Sequence, residues 1–260
     1  MRNVHQKKED FAKLNRPIQG LWDERGKKNL EGLPDQNQKE LEEEFLLKYI
    51  KKHMTVLDVG CGNGKIAAKI AKVAQKVHGI DFSEIILSKA KKKKARNLEF
   101  TFGDVTDLQF SDGTFDLALS ERCLINLSNF NAMVKALGEI RRVLKRGGLY
   151  LMLETSRQGI DSLSAYRKMF GLPAIHIPWH NIPIDEVWLK KAVKGKFVLS
   201  QTVCFGTYFF ISRIIHPLLV KPKEPKFNAK INEVALAIAR KSPAFNEEMS
   251  QIKIFVLKAV

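Results

Sequence analysis

Val56-Leu57-Asp58-Val59-Gly60-Cys61-Gly62-Asn63-Gly64-Lys65 is a short apolar run that ends in an acid and then breaks into glycines at every second position. The apolar run reads as a buried parallel strand over Thr55 to Val59, and the residues after the glycines as a helix over Lys65 to Val73. Glycines between a strand and a helix allow positive φ and let a ligand approach the main chain closely. A dinucleotide phosphate loop needs its third glycine at position 65. Lysine stands there, with glycines at 60, 62 and 64, so the pattern is not that of a dinucleotide phosphate loop, and it reads either as another ligand loop or as a plain glycine turn of an α/β protein.

Further strands follow on both counts, pattern and punctuation. Lys76 to Asp81 reads as a second strand that ends in an acid. Asp81 lies about twenty residues past the glycine loop, the spacing that lets a carboxylate receive both hydroxyls of a ribose. Leu98 to Val105 reads as a third strand that ends in Gly103-Asp104, and Phe115 to Glu121 as a fourth. Ala136 to Leu144 reads as a helix, capped by Lys145-Arg146-Gly147-Gly148, ahead of a fifth strand over Leu149 to Leu153.

This loop, with its acid two residues upstream and its ordered train of strand-end acids, resembles the class I S-adenosylmethionine (SAM) methyltransferases. The resemblance implies a Rossmann-like α/β fold: a mostly parallel seven-stranded sheet in the order 3-2-1-4-5-7-6, last strand antiparallel, helices on both faces and a C-terminal cap insertion. It implies SAM as cofactor. Asp58, Gly60, Cys61, Gly62 and Asn63 would pass beneath its methionine part, Asp81 would take the ribose, and Asp104 and Val105 the adenine, with Phe82 also in the cofactor-binding set. Ser120, at the end of the fourth strand, joins that set.

The chain has 260 residues, 44 basic against 28 acidic, for a net charge of +16. Residues 1–53, 54–155 and 156–260 carry +2, +5 and +9, so the excess sits in the C-terminal third. A basic acceptor side favours an anionic substrate; a lysine-rich solvated surface accounts for the same numbers. No apolar run approaches the length of a membrane span. Met1 to Lys8 lacks an apolar leader, and a cytoplasmic location is expected. Cys61, Cys123 and Cys204 are scattered without metal or disulfide spacing, no metal site is expected, and Cys61 reads as a small packing residue of the loop.

Three regions emerge. Residues 1–53 form an N-terminal flap and a helix over Gln38 to Lys51, residues 54–155 the SAM-binding half, and residues 156–260 the half that supplies the acceptor site. Arg25, in Gly20-Leu21-Trp22-Asp23-Glu24-Arg25-Gly26, either pairs with the SAM carboxylate or makes a surface ion pair with Asp23 or Glu24. The last strands read as Phe197 to Val203, or on to Ile211, and Ile252 to Leu257. Between them, Ser212 to Gln251 is too long for a hairpin loop. It holds an extended proline-studded piece, His216 to Pro225, and a helix, Ala229 to Arg240, with Ile231, Val234, Ala235, Ile238 and Ala239 on one face. This insert reads as a cap over the acceptor pocket, or as a homodimer interface.

Ser120 to Leu127, Pro178-Trp179-His180-Asn181 and His216-Pro217-Leu218 resemble a set of bacterial and archaeal SAM methyltransferases found with saccharide biosynthesis genes. A small, hydroxylated, anionic acceptor is therefore expected, a saccharide or saccharide precursor first. A hydroxyl acceptor needs a base; His180, His176, Glu121 and Glu154 are the candidates, His180 first among them, and His180 also reads as a packed residue of the cap. RNA or protein methylation is the alternative favoured by charge, although no nucleic-acid module or Asn-Pro-Pro-Tyr-type segment follows the fourth strand. A non-catalytic SAM-binding scaffold is the other.

Overall fold

The computed structural model describes residues 17–243, 245 and 247–260. The reading of Met1 to Lys8 falls outside them. Seven strands, β1 (Thr55–Val59), β2 (Lys76–Asp81), β3 (Leu98–Phe102), β4 (Phe115–Glu121), β5 (Leu144–Thr155), β6 (Phe197–Cys204) and β7 (Ile252–Ala259), form one sheet. Its order is β3-β2-β1-β4-β5-β7-β6, and β7 runs antiparallel to both its neighbours, as the family resemblance implies. The order reverses between β1 and β4, and the crevice beyond the C-terminal ends of those strands is where open α/β sheets bind ligands.

Both faces of the sheet are covered, so the inner strands β1, β4 and β7 are buried at most positions, while β3 and β6 at the sheet edges are not. Alternate side chains go to opposite sides. Leu117, Leu119, Leu151, Leu153, Ile254 and Val256 enter one core; Ala118, Tyr150, Met152, Phe255 and Leu257 enter the other. The helices are α1 (17–27), α2 (Gln36–Leu47), α3 (Lys65–Ile70), α4 (Glu84–Ala90), α5 (Phe130–Val143), α6 (Arg157–Met169), α7 (Glu186–Ala192), α8 (Gly206–Phe210), α9 (His216–Val220) and α10 (Lys230–Lys241). Helix α5 buries Ala132, Met133, Ala136, Leu137, Ile140 and Val143, one stripe at helical spacing. Side-chain caps start the helices that matter to the site: Ser83 caps α4, Asn129 α5 and Ser156 α6.

Four local readings change. Helix α2 begins and ends a few residues earlier than the apolar spacing suggests, because Asp35 caps it by accepting the Gln38 N–H. Gly147 and Gly148 do not cap a helix. Helix α5 stops at Val143, Leu144 already pairs with Phe115, and residues 145–148 bulge out before Leu149 meets Leu117. His216 to Val220 is helical rather than extended: it continues from α8 through one π-helical stretch, Ile211–Ile215, and the wider hydrogen-bond pattern there accommodates Pro217, which has no N–H to donate. In α10 the buried stripe is Asn232, Ala235, Leu236 and Ala239, while Val234 and Ile238 are exposed. A polar residue, Asn232, therefore stands where an apolar-stripe reading looks for Ile231 and Ile238.

The insert is anchored to the N-terminal region and to β7. Asp35, 1 % exposed, accepts from the Tyr208 hydroxyl at 2.6 Å and from Arg213 at 2.8 Å. Helix α6 lies directly on the chain leading into β7. A Cβ at Gly159 would stand 2.0 Å from the Ser250 carbonyl oxygen, backbone that cannot swing aside. Gly159→Ala should therefore lower stability by ~3 kcal/mol or more, the range of severe overpacking. Urea denaturation measures this, and a change below ~0.5 kcal/mol would show that α6 is not seated against Ser250.

Candidate active site

The glycine loop turns three times through the left-handed region, with φ of 69° at Gly60, 54° at Gly62 and 73° at Gly64. At Gly60 a side chain is excluded twice over, because a Cβ would also lie 2.8 Å from Cys123 Sγ. At Gly62 a Cβ would meet nothing within 4 Å, so the main chain there faces open space. The loop is tied to β2 by two hydrogen bonds: Cys61 N–H donates to the Ile80 carbonyl and Gly62 N–H to Asp81 Oδ2, both 2.8 Å. Asp81 Oδ1 accepts from Ser83 N–H at 2.9 Å. Burial raises the Asp81 carboxyl above its ordinary range, against the pull of these backbone donors.

Two cavities meet at Asp81. The smaller is lined by Ile18, Phe82, Gly103, Asp104, Val105 and Leu127 among others. Asp104 sits on its wall and accepts from Thr106 N–H at 2.8 Å, a bond that turns the chain at Val105. The larger, of about 350 Å³, runs over Asp58, Gly60, Cys61, Gly62, Asn63 and Phe82 to Trp22, Arg25, Glu121 and His180. Helix α1 is its lid. Gln19 Nε2 donates to the Phe82 carbonyl at 2.9 Å, Ser83 Oγ to Asp23 at 2.5 Å, and Lys89 Nζ to the Gly26 carbonyl at 2.6 Å. Arg25 thus faces inward. It stacks 5.3 Å from the Trp22 ring and donates to the Leu30 carbonyl, and Lys27 takes the ion pair with Glu24.

Most buried polar atoms in a folded protein are hydrogen-bonded, so the exceptions are informative. Here seven residues of the larger cavity carry one: Arg25 Nε, Glu31 Oε2, Asp58 Oδ2, Glu121 Oε1, Asn126 Oδ1, His180 Nδ1 and Asn181 Oδ1. Their chemistry fits SAM. Burial raises the carboxyl of Asp58 well above its usual range, and Glu121 and Asp81 push it further. Burial also raises Glu121, against Lys39 at 3.8 Å and Arg122 at 3.9 Å. Two crowded carboxylates with unpartnered oxygens suit an ammonium, an unpartnered guanidinium N–H suits a carboxylate, and SAM's methionine end carries both.

The structure does not bring every expected residue to the cavity. Ser120 is fully buried beneath it, hydrogen-bonded to Tyr150 at 2.8 Å and to Glu154 at 3.1 Å. Glu154 is also fully buried and accepts from the Cys123 and Leu124 N–H groups at 3.1 and 2.9 Å. Neither lines either cavity. A carboxylate at a strand's C-terminal end reads as a site residue, but this one holds the turn after β4 from below. Cys61 and Cys123 are buried thiols, and burial holds both well above the usual thiol range, in the protonated, unreactive form. Among the described residues no group of three or more His, Cys, Asp or Glu is placed to hold a metal ion, and no helix is long and apolar enough to cross a membrane.

Sequence reading missed Glu31, Lys39, Arg122 and Asn126. Arg122 has a positive φ of 52°, unusual for a side chain of its size. That turn sends its guanidinium back to Glu42 of α2 at 2.8 Å. Positive φ at a non-glycine leaves no mark in composition or periodicity, and Lys39 looks like any polar position of a surface helix.

Sheet order, glycine loop and strand-end acids together define a Rossmann-like SAM-binding domain. The chain belongs to the methyltransferase-domain family, which its residues 50–197 match. It is similar to demethylmenaquinone methyltransferase of Staphylococcus aureus, 36 % identical over 47 % of this chain and 51 % of that one. It is also similar to an uncharacterised methyltransferase of Schizosaccharomyces pombe, 37 % identical over 40 % of this chain and 41 % of that one. The chain thus spans about half the length, or less, of these curated relatives. In fold it is like a SAM-dependent methyltransferase of Methanosarcina mazei, with TM-score 0.55, 16 % identity, and 83 % of this chain and 97 % of that one covered.

Glu154 generates a stability prediction. Burial pushes its carboxyl up to about 7, from an ordinary value of 4.5. The folded state then holds a proton that the unfolded chain has lost, so stability is full below pH 4.5 and declines as pH rises toward 7. The integrated loss is roughly 3 kcal/mol. Glu154→Gln, which cannot ionise, should flatten this decline in denaturation curves taken from pH 5 to 7. A slope equal to that of the unmodified chain would exclude Glu154 as its source.

Proposed function

We propose that this chain transfers the methyl group of SAM to a small, hydroxylated, anionic acceptor, with a saccharide or saccharide precursor as first choice. The observation that carries the reading is Asp81, a buried carboxylate at the meeting point of two cavities, joined by hydrogen bond to the glycine loop. When bound, SAM supplies a methyl group already activated by sulfonium charge. What remains for the protein is to bind, align and exclude water, because alignment of the reacting atoms supplies much of the rate. Asp81 would receive the ribose hydroxyls, Asp58 and Glu121 the α-ammonium, Arg25 the α-carboxylate, and Phe82, Asp104 and Val105 the adenine.

The acceptor side is assigned to the wall made by His180 and Asn181; among the described residues, none of the insert lines this cavity. His180 stands edge-on to Trp22 and to Trp179, with ring centroids 6.2 and 5.5 Å away. Burial, then the nearby Arg25 charge, lower its pKa below 6.5. It is neutral at pH 7 with Nδ1 unpartnered, the state in which an imidazole takes a proton from a hydroxyl. Glu121, beside Lys39 and Arg122, fits the cofactor's ammonium better than the acceptor's proton. A small-molecule acceptor accords with the concave, partly apolar cavity.

Two variants separate the roles. Asp81→Ala should weaken SAM binding by roughly 1.5–3 kcal/mol in calorimetry, the worth of hydrogen bonds to a charged group; unchanged affinity would remove Asp81 from the cofactor site. His180→Ala should lower kcat by about 10²-fold in a labelled-SAM assay over sugar-phosphate, sugar-nucleotide and RNA pools, with SAM affinity retained. The rate should also fall as pH drops through the lowered histidine pKa. An unchanged kcat would remove His180 as base, and labelled RNA, with binding that weakens steeply with salt, would favour the nucleic-acid alternative.

A further inference from the structure

A second cleft opens from the first. It measures about 640 Å³ and shares Leu33, Pro34, Arg122, Pro178 and Asn181 with the cavity already described. Its walls come from the start of α2, from α6, from residues 174–178 and from the insert, which supplies Arg213, His216, Lys226, Phe227 and Asn232. The insert therefore adjoins the active site, where a cap over the acceptor belongs.

Arg167 differs from the other two arginines of this wall. Arg122 is paired with Glu42, and Arg213 with Asp35. Arg167 Nε donates to the Pro173 carbonyl at 2.7 Å and its Nη1 to the Arg213 carbonyl; among the described residues no carboxylate lies within ion-pair distance. Burial lowers its pKa and the Arg213 charge lowers it further, against a weaker pull from Glu224. Asp35, which also lines the cleft, already offsets the Arg213 charge, and Glu224 and Lys226 stand on the same wall, so Arg167 is the guanidinium left without a carboxylate partner. Asn232 supplies the independent sign of a ligand. It is 1 % exposed and lines this cleft. Its amide comes near enough to the Tyr208 hydroxyl to offset part of that group's raised pKa, but without the geometry of a hydrogen bond. Neither its amide oxygen nor its amide nitrogen has a partner. Gln251 Oε1, on the same wall, is buried and unpartnered too. Such groups are unfavourable to leave unpaired, and a ligand that reached them would gain by satisfying them.

We propose that this cleft is the anion subsite of the acceptor, with Arg167 gripping a phosphate or carboxylate while the Asn232 and Gln251 amides hydrogen-bond the acceptor's uncharged polar groups. This rests on the methyltransferase reading and deepens it. The acceptor is long enough to reach from His180 past Asn181 into the second cleft, and it is charged at the end away from the methyl group. Arg167 is thus a specificity-determining residue remote from the transferred methyl.

Isothermal calorimetry with inorganic phosphate and, separately, with succinate tests this, run with and without saturating S-adenosylhomocysteine. The unmodified chain should bind at least one anion, and the tighter one identifies the group recognised. Arg167→Gln should weaken that binding tenfold or more and leave S-adenosylhomocysteine affinity unchanged, which also reports an intact fold. Arg167→Lys, which keeps the charge without the planar fork, should recover part of it. Anion binding that is absent, or equal in the Arg167→Gln variant, would overturn the subsite. Absence of S-adenosylhomocysteine binding would instead count against the methyltransferase reading, whatever the anions do.

Discussion

The hydrogen bond from Gly62 N–H to Asp81 joins the two ends of the sheet's first crossover, beside the place where the strand order reverses. The glycine loop needs positive φ at three residues, a conformation with little intrinsic stability, and this bond fixes it against β2. The same carboxylate accepts Ser83 N–H, while Ser83 Oγ accepts the Ile86 N–H that opens α4 and reaches Asp23 of α1. Loop, second strand, fourth helix and lid thus share one buried acid. The cavity's shape follows from that sharing, and so does the crowding of Asp58, Asp81 and Glu121 that suits a cationic guest.

Polar groups beneath the site and polar groups on it serve opposite ends. Glu154 and Ser120 are satisfied, and they hold the turn that follows β4. Asp58, Glu121, Arg25, His180 and Asn181 keep atoms unpartnered and face the cavity. Burial without a partner is costly, so these atoms mark where binding energy is available for a ligand. Asn232 and Gln251 extend the same mark into the second cleft.

The SAM half is legible in the sequence because its signals are local. Strand-end acids, alternate glycines and unbroken apolar runs each arise from neighbours along the chain, and β1 to β4 begin where those runs place them, although β3 stops at Phe102, short of the Gly103-Asp104 read as its end. The insert is harder to read. Val234 and Ile238 complete an apolar stripe on paper, but the packing of α10 buries Asn232 instead, and only tertiary contacts decide between faces. Glu154 and Ser120 read as site residues for a related reason: a strand's last residues point alternately up to the ligand and down to the core, and one residue of register separates the two. Arg122 and Lys39 reach the site through a left-handed turn and a helix packed across the sheet edge, neither of which leaves a mark in the sequence pattern.

The central claim is that Asp81 organises a SAM site whose two cavities divide the cofactor between them. A crystal structure with S-adenosylhomocysteine tests it most directly. The account predicts ribose hydroxyls on Asp81, adenine beside Phe82 and Val105 in the smaller cavity, and the amino-acid end between Asp58, Glu121 and Arg25, with the sulfur directed toward His180. A ribose bound away from Asp81, or an adenine lodged in the cleft of Arg167, would contradict it.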